Sequence, residues 1–170
     1  GDRVYRDGDL PLEDLIGRYH EGVATAGPSP GDFLEVLEGI PGEVLLPSVT
    51  LSLSSTTLHS AQLAAAMVGP RVRVLDTGTS AGGLALVAIH AARAARAGGT
   101  LDEVERTARQ AMADMRLVVQ VGTLEYLIRS GRLPTSVGRV GSRLGMRPIV
   151  ELHRGRLYKR IPALSQRAAD

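Results

Sequence analysis

The chain has 170 residues, 44% of them apolar and 22% charged, which suits one compact core and excludes disorder, a collagen repeat and two large independent domains. It holds no cysteine, so disulfides, thiolate metal sites and a cysteine nucleophile are excluded, and a reducing cytoplasm is the expected setting. The net charge of +2 hides a gradient: residues 1–50 carry three Arg against ten Asp/Glu, whereas residues 115–170 carry eleven Arg/Lys against three Asp/Glu.

That basic end suits a phosphate group or an acidic protein face. Nucleic acid is not expected, because bases stack on aromatic rings and the chain offers one Phe, four Tyr and no Trp. From Val44 to Pro70 there is no formal charge, yet Pro47, His59, Gln62 and the many Ser/Thr of that run would be left without water in hydrocarbon. A membrane span is therefore not expected, and no basic region followed by an apolar stretch opens the chain.

In chain order, Asp9 and Pro11 introduce a helix over about 11–21, with Leu12, Leu15, Ile16 and Tyr19 at helical spacing. Ser29 caps a second helix, Pro30 takes its first position, and Phe33, Val36 and Leu37 are its expected buried face. Glu43–Leu53 reads as a buried strand and Thr57–Val68 as a helix ended by Gly69-Pro70. Arg71–Leu75 is the next strand, followed by a turn at Asp76–Gly78 and an Ala-rich helix over about 82–97. Thr100 and Glu103 stand in capping-box relation before a helix that reaches about Arg116.

Strands alternating with helices of this length predict an α/β fold, a mostly parallel sheet flanked by helices. Beyond Leu117 the texture changes. Leu117–Val121 is a short strand, and Thr123 caps a short helix that Gly131 ends. Residues 132–145 are rich in Gly, Arg and Ser, and Pro148–Leu152 and Leu157–Ile161 flank Arg154-Gly155 as a hairpin. This is the start of a smaller second α/β domain, so the predicted division is 1–119 and 120–170.

Chemistry is expected where strands hand over to helices. Ser54, Ser55, Thr56 and Thr57 stand at such a point, where backbone N–H groups and the helix dipole favour a carboxylate or phosphate. The same hydroxyls could equally be plain helix caps. Thr25 lies in a second hydroxyl-rich turn stiffened by Pro28 and Pro30. Gly131-Arg132 follows a helix end, which would orient a guanidinium suited to a planar anion.

A rival reading starts from Gly78-Thr79-Ser80-Ala81-Gly82, a G-x-S-x-G between strand and helix that matches the nucleophile elbow of serine hydrolases. Asp102 or Asp114 and His153 are its candidate acid and base. The plain alternative has the glycines allowing close helix packing and Ser80 acting as a cap. His20, His59, His90 and His153 lack metal-ligand spacing, so no metal is expected, and there is no Walker loop or complete G-x-G-x-x-G.

Five segments in order resemble the DegV family. Thr25-Ala-Gly-Pro-Ser-Pro-Gly-Asp-Phe33 is similar to its T-S-x-P-S-x-x-x-F, and Ser54-Ser-Thr-Thr-Leu-His-Ser-Ala61 to its L-S-G-T-Y-x-S-A. Val74-Leu-Asp-Thr77 with Gly82-Gly83 resembles its V-x-D-S and Gly-rich helix start. Thr123-Leu-Glu-Tyr-Leu-Ile-Arg-Ser-Gly-Arg-Leu133 resembles T-L-x-Y-L-x-x-G-G-R-I, and Leu144-Gly-Met-Arg-Pro-Ile149 resembles L-x-x-K-P-I.

The resemblance implies the EDD fold and a non-enzymatic lipid carrier that needs no cofactor. A long-chain fatty acid would lie in an apolar tunnel between two α/β domains, its carboxylate held at positions matching Thr25 and Ser55 within a site that includes Ser54, Thr56, Thr57 and Gly82. It further implies presentation of that acid to a fatty-acid kinase making acyl-phosphate for phospholipid synthesis, with Arg132 and Arg160 near the head group or the kinase contact. Ala26, Thr56, Ser130 and Arg147 stand where the family pattern has Ser, Gly, Gly and Lys. A side chain at Thr56 is expected to narrow the carboxylate site. The pattern also implies a first strand with an Asp-Ser motif before residue 1 and further residues after 170.

Overall fold

The computed structural model describes residues 5, 8–18, 25–132 and 149–159. Their elements run α1 (Leu12–Arg18), α2 (Pro30–Glu38), β1 (Val44–Ser48), α3 (Ser55–Val68), β2 (Val72–Asp76), α4 (Ala81–Arg96), α5 (Leu101–Ala113), β3 (Leu117–Gln120), α6 (Glu125–Arg129), β4 (Ile149–His153) and β5 (Arg156–Lys159).

β1 and β2 pair in parallel, with Val44 opposite Val72 and Ser48 opposite Asp76. Alternation along these strands sends side chains to two opposed helical layers. Val44, Leu46, Val72 and Val74 meet Leu37, Ala64, Ala65, Phe33, Leu34 and Val68 of α2 and α3. Leu45 and Leu75 face the other way, onto Val87, Ala91, Val104 and Ala108 of α4 and α5. Leu37 is 2% exposed, a burial that contributes about 2–3 kcal/mol.

β3 joins the β4–β5 hairpin in a separate three-stranded antiparallel sheet, order β3-β4-β5. The described residues are therefore an α/β arrangement with one parallel pair and one antiparallel sheet. Arg154 at φ 48° and Gly155 at φ 73° make the hairpin turn, a left-handed pair of the kind two-residue hairpins require.

Several expectations are corrected. The strand predicted to Leu53 stops at Ser48, because Thr50 O accepts Leu53 N (3.0 Å) and Ser54 N (3.1 Å) and so turns the chain. α3 begins at Ser55 rather than Thr57, its first helical bond running from Leu58 N to Ser54 O at 3.3 Å. Val36 is 61% exposed, and the inner face of α2 is Phe33, Leu34 and Leu37. In α1, Leu12 and Ile16 are exposed, since nothing among the described residues covers them.

Local signals were obeyed where their partners lie close in sequence. Ser29 and Asp32 form a capping box at α2 with Pro30 in the first turn. Thr100 and Glu103 form another at α5. Across the loop after α2, Arg71 donates to the carbonyls of Leu37 (2.7 Å), Ile40 (2.9 Å) and Gly42 (2.9 Å), tying the last turn of the helix and the loop that follows it to the start of β2.

On α5, the Thr100 backbone N–H and then its hydroxyl hold Glu103 below the ordinary glutamate range. Arg109 and then Arg73 do the same for Glu105. Carboxyls lowered in the folded state contribute stability above the ordinary glutamate range and lose it as pH falls through their lowered values. Thr100→Val is therefore expected to reduce Tm by roughly 2–4 °C at neutral pH. That deficit should narrow in acid, as thermal melts across a pH series would reveal.

Candidate functional site

At their carboxyl ends, β1 and β2 are stitched together beyond the sheet. Ser48 O accepts both Thr77 N (3.2 Å) and Thr77 Oγ1 (2.8 Å), and Thr79 O accepts Thr50 N at 3.0 Å. Asp76 receives Leu51 N (3.3 Å) and Gly78 N (2.9 Å) on its two oxygens. Thr50, Thr77 and Thr79 are buried. These bonds hold the 50–54 turn that launches α3.

Within that turn the four hydroxyls divide. Ser54 Oγ and Thr57 Oγ1 lie 2.8 Å apart in one hydrogen bond, which uses the proton of only one of them. Although Ser54 occupies the N-cap position, its side chain does not cap the helix backbone. Ser55 and Thr56 remain exposed. The first turn of a 14-residue helix thus presents N–H groups without a side-chain cap, at the positive end of the helix dipole.

The 25–29 loop lies directly over this helix start. A Cβ built on Gly27 would sit 2.8 Å from Thr57 Oγ1, 3.3 Å from Thr57 N and 3.6 Å from Thr56 Cβ. Thr25, two residues earlier, is exposed. Glycine at 27 is what permits this approach, a signal that sequence reading passed over.

From the other side comes Arg132, whose Nε donates to Leu53 O at 3.2 Å and whose guanidinium also reaches Ser130 O at 3.3 Å. The structure thus gathers the Thr25 loop, Ser54–Thr57 and Arg132 around one helix start. Gly82 is different: it lies in the first turn of α4, in the layer opposite α3, and makes no close contact with the hydroxyl turn. Arg160 lies outside the described residues.

The hydrolase arrangement is not assembled. Ser80 is the extended N-cap of α4 at φ −152°, and the left-handed φ of 44° falls on Ala81 after it, so the serine itself does not hold the strained position of a nucleophile elbow. Asp102 pairs with Arg73, and His153 Nδ1 lies 2.8 Å from Met115 O. Among the described residues no hydrogen bond links Ser80, Asp102, Asp114 and His153. No group of three or more His, Cys, Asp or Glu comes together as a metal cluster among them. None of the helices described is long and apolar enough to cross a membrane.

Near the same strand ends lies an open cleft of about 410 Å³ lined by Thr50, Asp76, Gly78, Arg109, Met112 and Arg154. The hairpin tip reaches it, Gly155 N donating to Gly78 O at 2.8 Å and Arg154 to Ala113 O at 3.4 Å.

Comparison with known proteins gives a consistent outcome. The pattern of the DegV family, described as one of uncharacterised proteins, matches residues 1–169. A DegV domain-containing protein of Streptomyces coelicolor is 36% identical over 185 residues, covering 100% of this chain and 66% of the relative. One from Mycobacterium tuberculosis is 34% identical over 156 residues, covering 89% of this chain and 55% of the relative. The chain thus spans between about half and two thirds of the length of these relatives. A DegV family protein from Thermus thermophilus, solved for its fatty acid binding, superposes with a TM-score of 0.81 at 29% identity, over 95% of this chain and 60% of that one.

Proposed function

This chain belongs to the DegV family, and from that premise we propose that it binds a long-chain fatty acid by its carboxylate and carries the acid without transforming it. The carboxylate is received by the hydroxyls of Thr25 and Ser55, with Thr56 beside them. Ser54 and Thr57 share one hydrogen bond that braces the helix start, and the accepting hydroxyl of the pair keeps a proton to donate. Gly82 lies apart from these hydroxyls, in the first turn of α4. One observation carries this reading: Gly27 seats the Thr25 loop on Thr56 and Thr57, over N–H groups that no side chain caps.

The reading extends to the two-part organisation, 1–119 and 120–170. The parallel pair and the antiparallel sheet share no strand, which favours two units, but β3 (Leu117–Gln120) pairs with β4, which favours a division just before Leu117 rather than at 120. The acyl tail would run between such units. In the cytoplasm the loaded protein then presents its head group to a fatty-acid kinase. The excess of basic residues in 115–170, Arg132 and Arg160 among them, supplies the charge that such an acidic or phosphate-bearing partner would meet.

Mass spectrometry of an organic extract of the purified chain tests this reading, with a fatty acid as the expected product. Ser55→Ala and Thr25→Ala are each expected to weaken binding about tenfold or more, the effect of losing one hydrogen bond to a charged group. Ser80→Ala should bind normally. Esterase activity that disappears with Ser80→Ala would reverse this assignment.

A further inference from the structure

We propose that Arg132 is a positioning residue for the head-group site, acting through the Leu53 carbonyl to fix the peptide plane that leads into Ser54 and Ser55; the inference rests on the fatty-acid reading above. The peptide unit between Leu53 and Ser54 has two polar ends. Its N–H donates to Thr50 O at 3.1 Å and its carbonyl accepts Arg132 Nε at 3.2 Å. With both ends held, the plane cannot rotate, and the residues that follow it enter α3 in one direction. Ser55 is the first residue of that helix.

Arg132 is itself aimed by the chain that carries it. α6 ends in a Schellman arrangement, with Gly131 N donating to Ile128 O (3.0 Å) and Arg132 N to Leu127 O (2.9 Å). Gly131 holds the left-handed φ of 75° that this ending requires. An arginine placed here for charge alone would need neither the fixed helix end nor a guanidinium edge turned onto a carbonyl 79 residues away. Through this contact, whatever engages the segment around α6 also bears on the direction of Ser55.

Two variants separate positioning from charge. Arg132→Lys keeps the positive charge and removes the Nε donor; Gly131→Ala keeps the guanidinium and disturbs its aim. In titrations with hexadecanoate, each is expected to bind about tenfold more weakly than the unmodified chain, by the same factor at low and high salt. In the ligand-free protein, hydrogen exchange at the Ser54 amide should accelerate in both.

Wild-type affinity in Arg132→Lys, a loss that fades with added salt as a direct ionic contact would, or an unchanged Ser54 amide each overturns the proposal. Arg132 is exposed, so Arg132→Lys leaves the core intact and carries the test even where Gly131→Ala fails to fold. An unmodified chain that binds no hexadecanoate removes the fatty-acid reading and this inference with it. Normal binding with undisturbed variants removes this inference alone.

Discussion

Gly78→Ala is expected to destabilise the protein by about 2–5 kcal/mol and to unseat the tip of the β4–β5 hairpin. Gly78 holds φ at 63°, where any side chain costs about 1–2 kcal/mol against the following carbonyl. It also has no room. A Cβ there would lie 3.0 Å from Gly155 N and 3.3 Å from two backbone atoms of Arg154. Backbone cannot step aside as a side-chain end can, so overpacking adds about 1–3 kcal/mol. The bond from Gly155 N to Gly78 O would lengthen or break. Denaturant unfolding gives the free energy, and amide exchange at Gly155 reports the tip. Gly42→Ala is the control, because Gly42 has a similar φ of 82° with nothing within 4 Å of its Cβ position, so strain acts there without a clash. Equal losses at the two sites, with Gly155 still protected, would mean that the tip does not lean on Gly78.

This contact shows what the sequence could and could not reveal. Ser29, Pro30 and Asp32 announced α2, and Thr100 with Glu103 announced α5, because a capping box closes within three residues and needs no tertiary partner. The parallel pairing of β1 with β2 followed from strands separated by a helix. Leu51 and Leu53 misled in the other direction. Their apolar side chains extended the predicted strand, but Thr50 O takes the next backbone donors and the chain turns. Val36 fell at a helical spacing that fits the inner face of α2, yet Leu34 occupies that face. Such outcomes depend on neighbours that local periodicity does not encode.

The site was legible in its residues and not in its assembly. Hydroxyls at Ser54–Thr57 after a strand suggested an anion site and equally a cap. The structure distinguishes the residues by pairing Ser54 with Thr57 and leaving Ser55 and Thr56 exposed. Pairing Thr25 with them across a sheet end is a candidate from the residues and an implication of the family resemblance, and what the structure adds is the approach of Gly27 to Thr57, a contact across 30 residues. Arg132 was noticed for its place after a helix end. Its partner, Leu53 O, presents backbone only and leaves no mark in composition or spacing.

Gly83→Ala is expected to cost about 1–3 kcal/mol despite putting a better helix former inside α4. In open helical positions this change gains about 1 kcal/mol. Here the added Cβ would fall onto Thr79 Oγ1 and within 3.2 Å of Thr79 Cβ and Cγ2, in a place where Thr79 is 2% exposed and cannot swing into solvent. Overpacking of this kind costs more than the propensity returns. Thr79 adds a second handle, because its buried hydroxyl has no hydrogen-bond partner. Thr79→Val should therefore stabilise by about 1 kcal/mol, the lower end of the penalty for an unsatisfied buried group. Thr79→Ala clears the space, so combined with Gly83→Ala it should recover about 1–2 kcal/mol relative to additivity. Thermal and denaturant unfolding of the four proteins in this cycle gives the coupling directly, and a value near zero would show that the two residues do not meet. A positive coupling also gives Gly83, the residue just after the G-x-S-x-G pattern, a packing role that involves no nucleophile. The glycine at 83 lets α4 descend onto Thr79, Thr79 O in turn fixes Thr50 N, and Thr50 O holds the turn that presents Ser55. Small residues at the start of α4 thus serve the hydroxyl site from beneath, through backbone bonds, while Ser80 remains the residue from which that helix begins.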